Sequence, residues 1–240
     1  MTLPFVSQFA VAPVLANDID TTVIDQQSAN LALRVNFLPV LASISKTKNR
    51  PLTDYQWVSV EALQVQWLMG WFKRWFCHRD TILVKGEHEP EYFAATDNEP
   101  AKIVFAHGFF ASALHEISHW CMAGQKRRLL NDFGYWYAPD GRNEQQQQQF
   151  EQVEILPQAI ECLLTLACNK PFSVSKDNLF ADFDTSQSTF EADVQAQAVK
   201  FWQTGQKLST DAKVLLSQLT KLRPLPLTSF DISHNFIKAN

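Results

Sequence analysis

Between residues 54 and 77 apolar side chains return every three or four positions. Val60, Leu63, Trp67, Leu68, Trp71, Phe72, Trp75 and Phe76 keep this register, which places them on one side of an α-helix. Gln64, Gln66, Lys73 and Arg74 fall mostly off that side. Thr53, with Gln56 three residues on, has the form of a capping box. The pattern predicts a helix over 54–77 whose tryptophan stripe faces a core. The period then shortens. Residues 81–85 form a β-branched run closed by Gly86, and 92–95 and 103–106 are further short apolar runs. Acidic, proline-containing turns at 87–90 and 97–100 separate them, so three strands are predicted.

Helical spacing resumes at about 110 and runs to 123, with Gly124 as its stop. Lys126, Arg127 and Arg128 follow. They read most simply as a solvated helix end that suits the dipole, and less simply as a patch for an acidic partner. Residues 133–140 are an aromatic loop, and 145–149 are five glutamines on an exposed helix or loop. Pro157 suits the first turn of a helix over 157–168, with Leu156, Ala159, Ile160, Leu163, Leu164 and Ala167 on its buried side. Ser188 and Glu191 form a second capping box, opening a helix to about 203 that Gly205 ends. A last helix is predicted over 210–222, before Pro224 and Pro226. Residues 1–50 show weak periodicity, with strand candidates at 11–15 and 31–41 and a polar, basic linker over 43–51. The chain therefore divides into an extension, 1–52, and a domain over 53–240.

The 240 residues are 46 % hydrophobic and 19 % charged, which fits a globular chain. A net charge of -4 gives no footprint for nucleic acid or an anionic membrane. No apolar run is long enough to span a bilayer. The first sixteen residues lack a basic start and are broken by Pro4, Gln8 and Pro13, so they make a poor signal peptide. Cys77, Cys121, Cys162 and Cys168 form no C-x-x-C pair, and buried free thiols point to a reducing cytoplasm.

The chemistry concentrates at His115-Glu116-Ile117-Ser118-His119. Histidines four apart on a helix share a face and can hold one divalent metal, with Glu116 beside it to move a proton or hold a water. Phe105, Phe109, Phe110, Leu114, Ile117, Trp120 and Met122 surround the pair, which argues against a freely solvated helix face. A third ligand is needed. Downstream, His234 lies near the terminus, and the acidic choices are Glu151, Glu154 and Glu161. Glu154, at the start of the 157–168 helix, is favoured on helix geometry. Glu151 replaces it if that helix starts sooner, and Glu161, mid-helix, reads as solvated. Two imidazoles and a carboxylate support zinc peptidase chemistry or ferrous oxygenase chemistry alike. His107 ends a strand and either lines the same cleft or bonds to backbone. Cys121 and Cys162 read as core.

Longer strings then align the chain with a family. They are Ile103-Val104-Phe105-Ala106-His107-Gly108-Phe109, the run from Ala111 through the motif to Cys121, Phe133-Gly134-Tyr135-Trp136-Tyr137, and Pro139-Asp140-Gly141-Arg142. Phe150-Glu151-Gln152-Val153-Glu154, Pro157-Gln158-Ala159, Pro171-Phe172 and Asp177-Asn178-Leu179 follow in order. Together they resemble the bacterial elongation factor P hydroxylases over roughly residues 66–205. The resemblance implies an α+β, metallopeptidase-like (zincin-like) domain with an H-E-x-x-H helix, a small sheet and several packed helices. It implies a cytoplasmic enzyme that hydroxylates the modified, lysylated lysine of elongation factor P. It also implies a metal, iron or else zinc, on His115, His119 and a glutamate of the 150–154 string, with Glu154 preferred, and dioxygen as co-substrate. Glu116 is expected to take a proton-handling or supporting role. A pocket of Phe109, Tyr135, Trp136 and Tyr137 is expected to hold the substrate's aliphatic stem, with Asp140 or Glu116 meeting its ammonium. The motif alone, without these strings, reads as a zinc metallopeptidase.

Overall fold

The computed structural model describes residues 54–134, 141–176, 188–222, 226–228 and 231–232, with side chains from residue 61 onward. Helix α1, Asp54–Phe76, forms where the three-four spacing predicts it. Its buried stripe is Gln64, Val65, Trp67, Leu68, Trp71, Phe72 and Phe76. Leu63 is 52 % exposed, and Gln64 takes the inward place the sequence reading gave to Leu63. At about 100° per residue, Leu63 stands about 140° around the helix from Leu68, outside the stripe, whereas Gln64 is only about 40° away. The tryptophan stripe is core, with Trp67 and Trp71 stacked at 5.6 Å between ring centroids.

Three short strands follow: β1 Thr81–Lys85, β2 Glu91–Phe93 and β3 Ala101–Phe105. The sheet order is β1-β3-β2. β3 is central, parallel to β1 with Leu83 opposite Ile103, and antiparallel to β2 with Tyr92 opposite Ile103. Ala101, Ile103 and Phe105 alternate inward along it, the period of two that a strand imposes. The outer edge of β2 is closed by side chains: Asp132 Oδ1 accepts from Tyr92 N–H and Asn131 Oδ1 from Ala94 N–H, at 2.9 and 3.0 Å. This satisfies backbone groups that would otherwise template another strand.

β3 leads through a tight turn at 106–108 into α2, Phe110–Arg127. Gly124 breaks α2 (φ 68°, ψ 173°), and one further turn follows it, so the predicted stop is a kink. Arg128 corrects the reading of a solvated basic end. Its guanidinium lies 3.5 Å from the Trp120 ring centroid, and its Nη1 is 2.7 Å from Asp211 Oδ2. Arg127 is exposed but donates to the Phe133 carbonyl.

Helix α3, Glu144–Ala167, differs most from expectation. It begins at an Asn143 capping box with Gln146, takes in the glutamine run and continues through Pro157. Proline removes one ladder donor, whose partner would be the carbonyl of Val153. Val153 is 58 % exposed, so water can serve that carbonyl. α4, Phe190–Thr204, and α5, Thr210–Leu222, are the remaining long helices among the described residues. Ser188 does not form the predicted box with Glu191. Its hydroxyl accepts from Phe190 N–H and donates to Glu151.

α1 packs on β1 and α2 on β3, and α3 packs between α2 and α4. One continuous core includes Phe72, Phe105, Phe110, Trp120, Ile160 and Phe201. The fold is α+β, mostly helical with a small sheet. No helix among the described residues is long and apolar enough to cross a membrane. The strand candidates before residue 50, His234, the 1–52 extension and the pocket residues Tyr135, Trp136, Tyr137 and Asp140 lie outside the described residues.

Candidate metal centre

α2 turns its apolar side, Phe110, Ala113, Leu114, Ile117, Trp120 and Cys121, into the core. His115, Glu116 and His119 lie at the border of that side and are only partly covered. The start of α2 is held by a residue far away in sequence, since Glu61 of α1 accepts from Phe110 N–H at 3.1 Å. That bond satisfies one of the orphan donors at the helix start.

α3 crosses this face and supplies the third group. Glu154 is buried mid-helix, at 2 % exposure, where the sequence reading had it at a helix start. Its Oε1 is 3.4 Å from His119 Nε2 and its Oε2 is 3.8 Å from His115 Nε2. The two Nε2 atoms are 3.0 Å apart. Among the described residues these three side chains are the cluster whose donor atoms all lie within 4.8 Å of one another. Donors each about 2.1 Å from a shared ion stand about 3.0 Å apart at a right angle and about 3.4 Å apart at a tetrahedral one. The 3.0 and 3.4 Å separations match these values and the 3.8 Å one corresponds to a wider angle, so the donor set is of a kind that fits a single divalent metal. Two imidazoles and one carboxylate leave the remaining coordination positions open.

The other acidic candidates separate cleanly. Glu151 is engaged elsewhere, accepting from Gln147 and from Ser188 at 3.2 and 2.8 Å. Glu161 is not solvated, contrary to the sequence reading. It is 7 % exposed, and its Oε2 lies 2.8 Å from His115 Nδ1. Gln158, fully buried, donates to Glu154 Oε2 and to the Ser175 carbonyl while accepting from Ser175 N–H. Glu154, Gln158 and Glu161 are spaced four and three apart, so they form one stripe of α3. That spacing was visible in the sequence. The start signal of Pro157 hides it, because a helix beginning there leaves Glu154 outside.

The charges respond to this enclosure. Burial disfavours the His115 cation, but Glu161, Glu116 and Glu154 outweigh it and hold the imidazole up to about 10. Burial also raises Glu154, yet His119, His115 and the Gln158 hydrogen bond bring it down to about 2. Burial pushes the Glu116 carboxyl up, against the opposing pull of His115 and His119. His107 does not join the cluster. It is exposed at the end of β3, its backbone at φ 51°, with its ring 5.9 Å from that of exposed Phe109. Cys121 and Cys162 are buried core residues.

Comparison with known proteins adds an independent finding. The sequence model of the family described as elongation factor P hydroxylase matches residues 71–227. A protein of Haemophilus influenzae named elongation factor P lysine hydroxylase is 42 % identical over 157 residues, covering 64 % of this chain and 88 % of the relative. His115, His119, Glu154 and Glu161 all fall inside the matched range of the family.

Proposed function

The chain belongs to the elongation factor P hydroxylase family, and from that premise we infer that it is an enzyme hydroxylating a lysine of elongation factor P. One observation carries the reading: the family match spans the segment in which two histidines and a glutamate converge. Family membership takes precedence over the zinc-peptidase reading of the same motif. The finer assignments below are proposals built on that base.

His115, His119 and Glu154 would hold a non-haem metal, with iron preferred to zinc because hydroxylation needs redox chemistry. Ferrous iron held by such a set would activate dioxygen toward an unactivated carbon–hydrogen bond, with an external reductant supplying the two electrons that take the second oxygen atom to water. The remaining work belongs to the chain. Glu116, its carboxyl raised by burial beside the cluster, is suited to hold a proton on its carboxyl oxygen and return it. Phe109, Tyr135, Trp136 and Tyr137 are proposed to hold the aliphatic stem of the lysylated lysine, and Asp140 its ammonium. Placing that carbon and excluding water are positional tasks. A zincin-like arrangement is proposed for the domain over 53–240, with a cytoplasmic location and residues 1–52 as an extension outside it. What supports the zincin-like part is a small sheet feeding an H-E-x-x-H helix whose third partner comes from the next helix.

The test is the mass of lysylated elongation factor P after incubation with this protein, ferrous iron, a reductant and air. One added oxygen on the modified-lysine peptide is expected, lost in His115→Ala and Glu154→Ala. No gain, with metal bound and the substrate verified as lysylated, would sink the proposal. Trp136→Ala and Asp140→Ala are each expected to weaken turnover, and unchanged turnover would remove them from the pocket.

A further inference from the structure

Glu161 has no place in the donor trio, yet it is buried against one of its members. We propose that Glu161 is a positioning residue: its carboxylate takes the Nδ1 proton of His115 in a hydrogen bond and so commits Nε2 to the metal. The proposal rests on the metal reading above.

The geometry leaves little choice. A neutral imidazole has one N–H and one lone pair, and an ionised carboxylate can only accept. With Glu161 Oε2 at 2.8 Å from Nδ1, a His115 made neutral by metal binding keeps its proton on Nδ1 and its lone pair on Nε2. Nε2 is the atom that faces His119 Nε2 and the Glu154 carboxylate. Glu161 cannot itself join the same ion, because it lies against Nδ1, the ring nitrogen turned away from that meeting point. Nor is its burial incidental. A carboxylate taken out of water is costly unless it is paired and hydrogen-bonded, and His115 supplies both. Without Glu161 the ring could turn over or carry its proton on Nε2, and either change removes a ligand. The bond also makes the ligand more basic.

Metal affinity is the direct readout, independent of turnover. Cobalt(II) is titrated against a competing chelator into the wild type, Glu161→Ala and Glu161→Gln, each checked for native circular dichroism. Glu161→Ala is expected to bind about 10–100-fold more weakly. Glu161→Gln, whose amide oxygen can still accept from Nδ1–H, is expected to lie between that and the wild type. In the zinc-loaded wild type, nitrogen-15 spectra should show His115 protonated at Nδ1. Any histidine bound through Nε2 carries that proton, so the bond to Glu161 is read from the proton itself, which should be shifted downfield and protected from exchange with water; this needs no variant and serves even if Glu161→Ala fails to fold. Unchanged cobalt affinity in a folded Glu161→Ala protein, or an Nδ1 proton of zinc-loaded His115 that is unshifted and exchanges freely with water, would overturn the role of Glu161 alone. A wild type that binds no cobalt or zinc at all would instead overturn the metal reading and this inference with it.

Discussion

Two groups of the candidate site are displaced from their ordinary titration ranges in opposite directions. His115 is held up to about 10, against the 6.5 of an unperturbed imidazole. Glu154 is brought down to about 2 from 4.5. A raised histidine stabilises the metal-free fold fully below about pH 6.5, and the contribution fades as pH climbs toward 10. A depressed glutamate stabilises it above about pH 4.5, and this is lost as pH falls toward 2. The two shifts have different leading partners, Glu161 for His115 and His119 for Glu154, and they share only the weaker attraction between His115 and Glu154. The metal-free protein should therefore gain most from this site between about pH 4.5 and 6.5, which a series of thermal unfolding curves will show. Metal binding has the opposite sense, because the metal must displace the proton on His115. Near neutral pH, loading should release about one proton, and affinity should rise with pH. Calorimetric titration in buffers of different ionisation heat measures the release, and none would mean that His115 is already neutral in the free site. The thiols give a simpler residue-scale expectation. Cys77 is exposed, while Cys121, Cys162 and Cys168 are buried with their thiols pushed up, Cys168 to about 12. The native protein should show one rapidly alkylated cysteine and the unfolded protein four. More than one fast thiol would mean that the core opens readily.

At the scale of elements, the decisive feature is how far α3 extends. Asn143 and Gln146 exchange both capping-box hydrogen bonds, at 2.9 and 3.0 Å, and this sets the start of the helix. The pair was present in the sequence, but Pro157 gave the more conspicuous start signal. With α3 beginning at Glu144, Glu154, Gln158 and Glu161 fall on one side of a single rod. Asn143→Ala should cost about 1 kcal/mol in urea unfolding, and no measurable loss would mean that the tertiary contacts of α3 fix its start without the cap. α2 was read correctly from its spacing as far as Gly124, whereas its cap could not be read. Glu61 reaches Phe110 N–H from another helix, across a separation of 49 residues. The strands were legible to within two residues, because alternation and turn residues are local signals.

The molecule as a whole is tied together by a charged cluster away from the metal centre. Asp211, in the first turn of α5, pairs with Arg79 at 3.0 Å and with Arg128 at 2.7 Å. Arg128 in turn lies on Trp120, whose ring meets Phe72 and Phe76 edge-on at 5.3 and 5.0 Å. One carboxylate thereby links the last described long helix to the ends of α1 and α2. Removing it leaves two guanidinium groups without this partner, one of them in a largely buried setting. Asp211→Ala should lower stability by about 3–5 kcal/mol, seen as a lower denaturant midpoint with an unchanged slope. A loss under about 0.5 kcal/mol would show that water replaces the carboxylate without penalty.

By itself the sequence determined the features that depend on near neighbours. The helix periods, the strand alternation and the i, i+4 histidines of the motif follow from backbone geometry, and the family strings identify the chemistry. The tertiary structure decided everything that requires two elements to meet. It brought the Glu154 carboxylate to the histidines and turned that of Glu151 to Gln147 and Ser188. It took Glu161 and Arg128, both read as solvated, and buried each against an opposite charge. Charged side chains carry no periodic signature of their partners. Whether one faces water or a countercharge depends on which surface packs over it, and that surface here comes from residues tens of positions away.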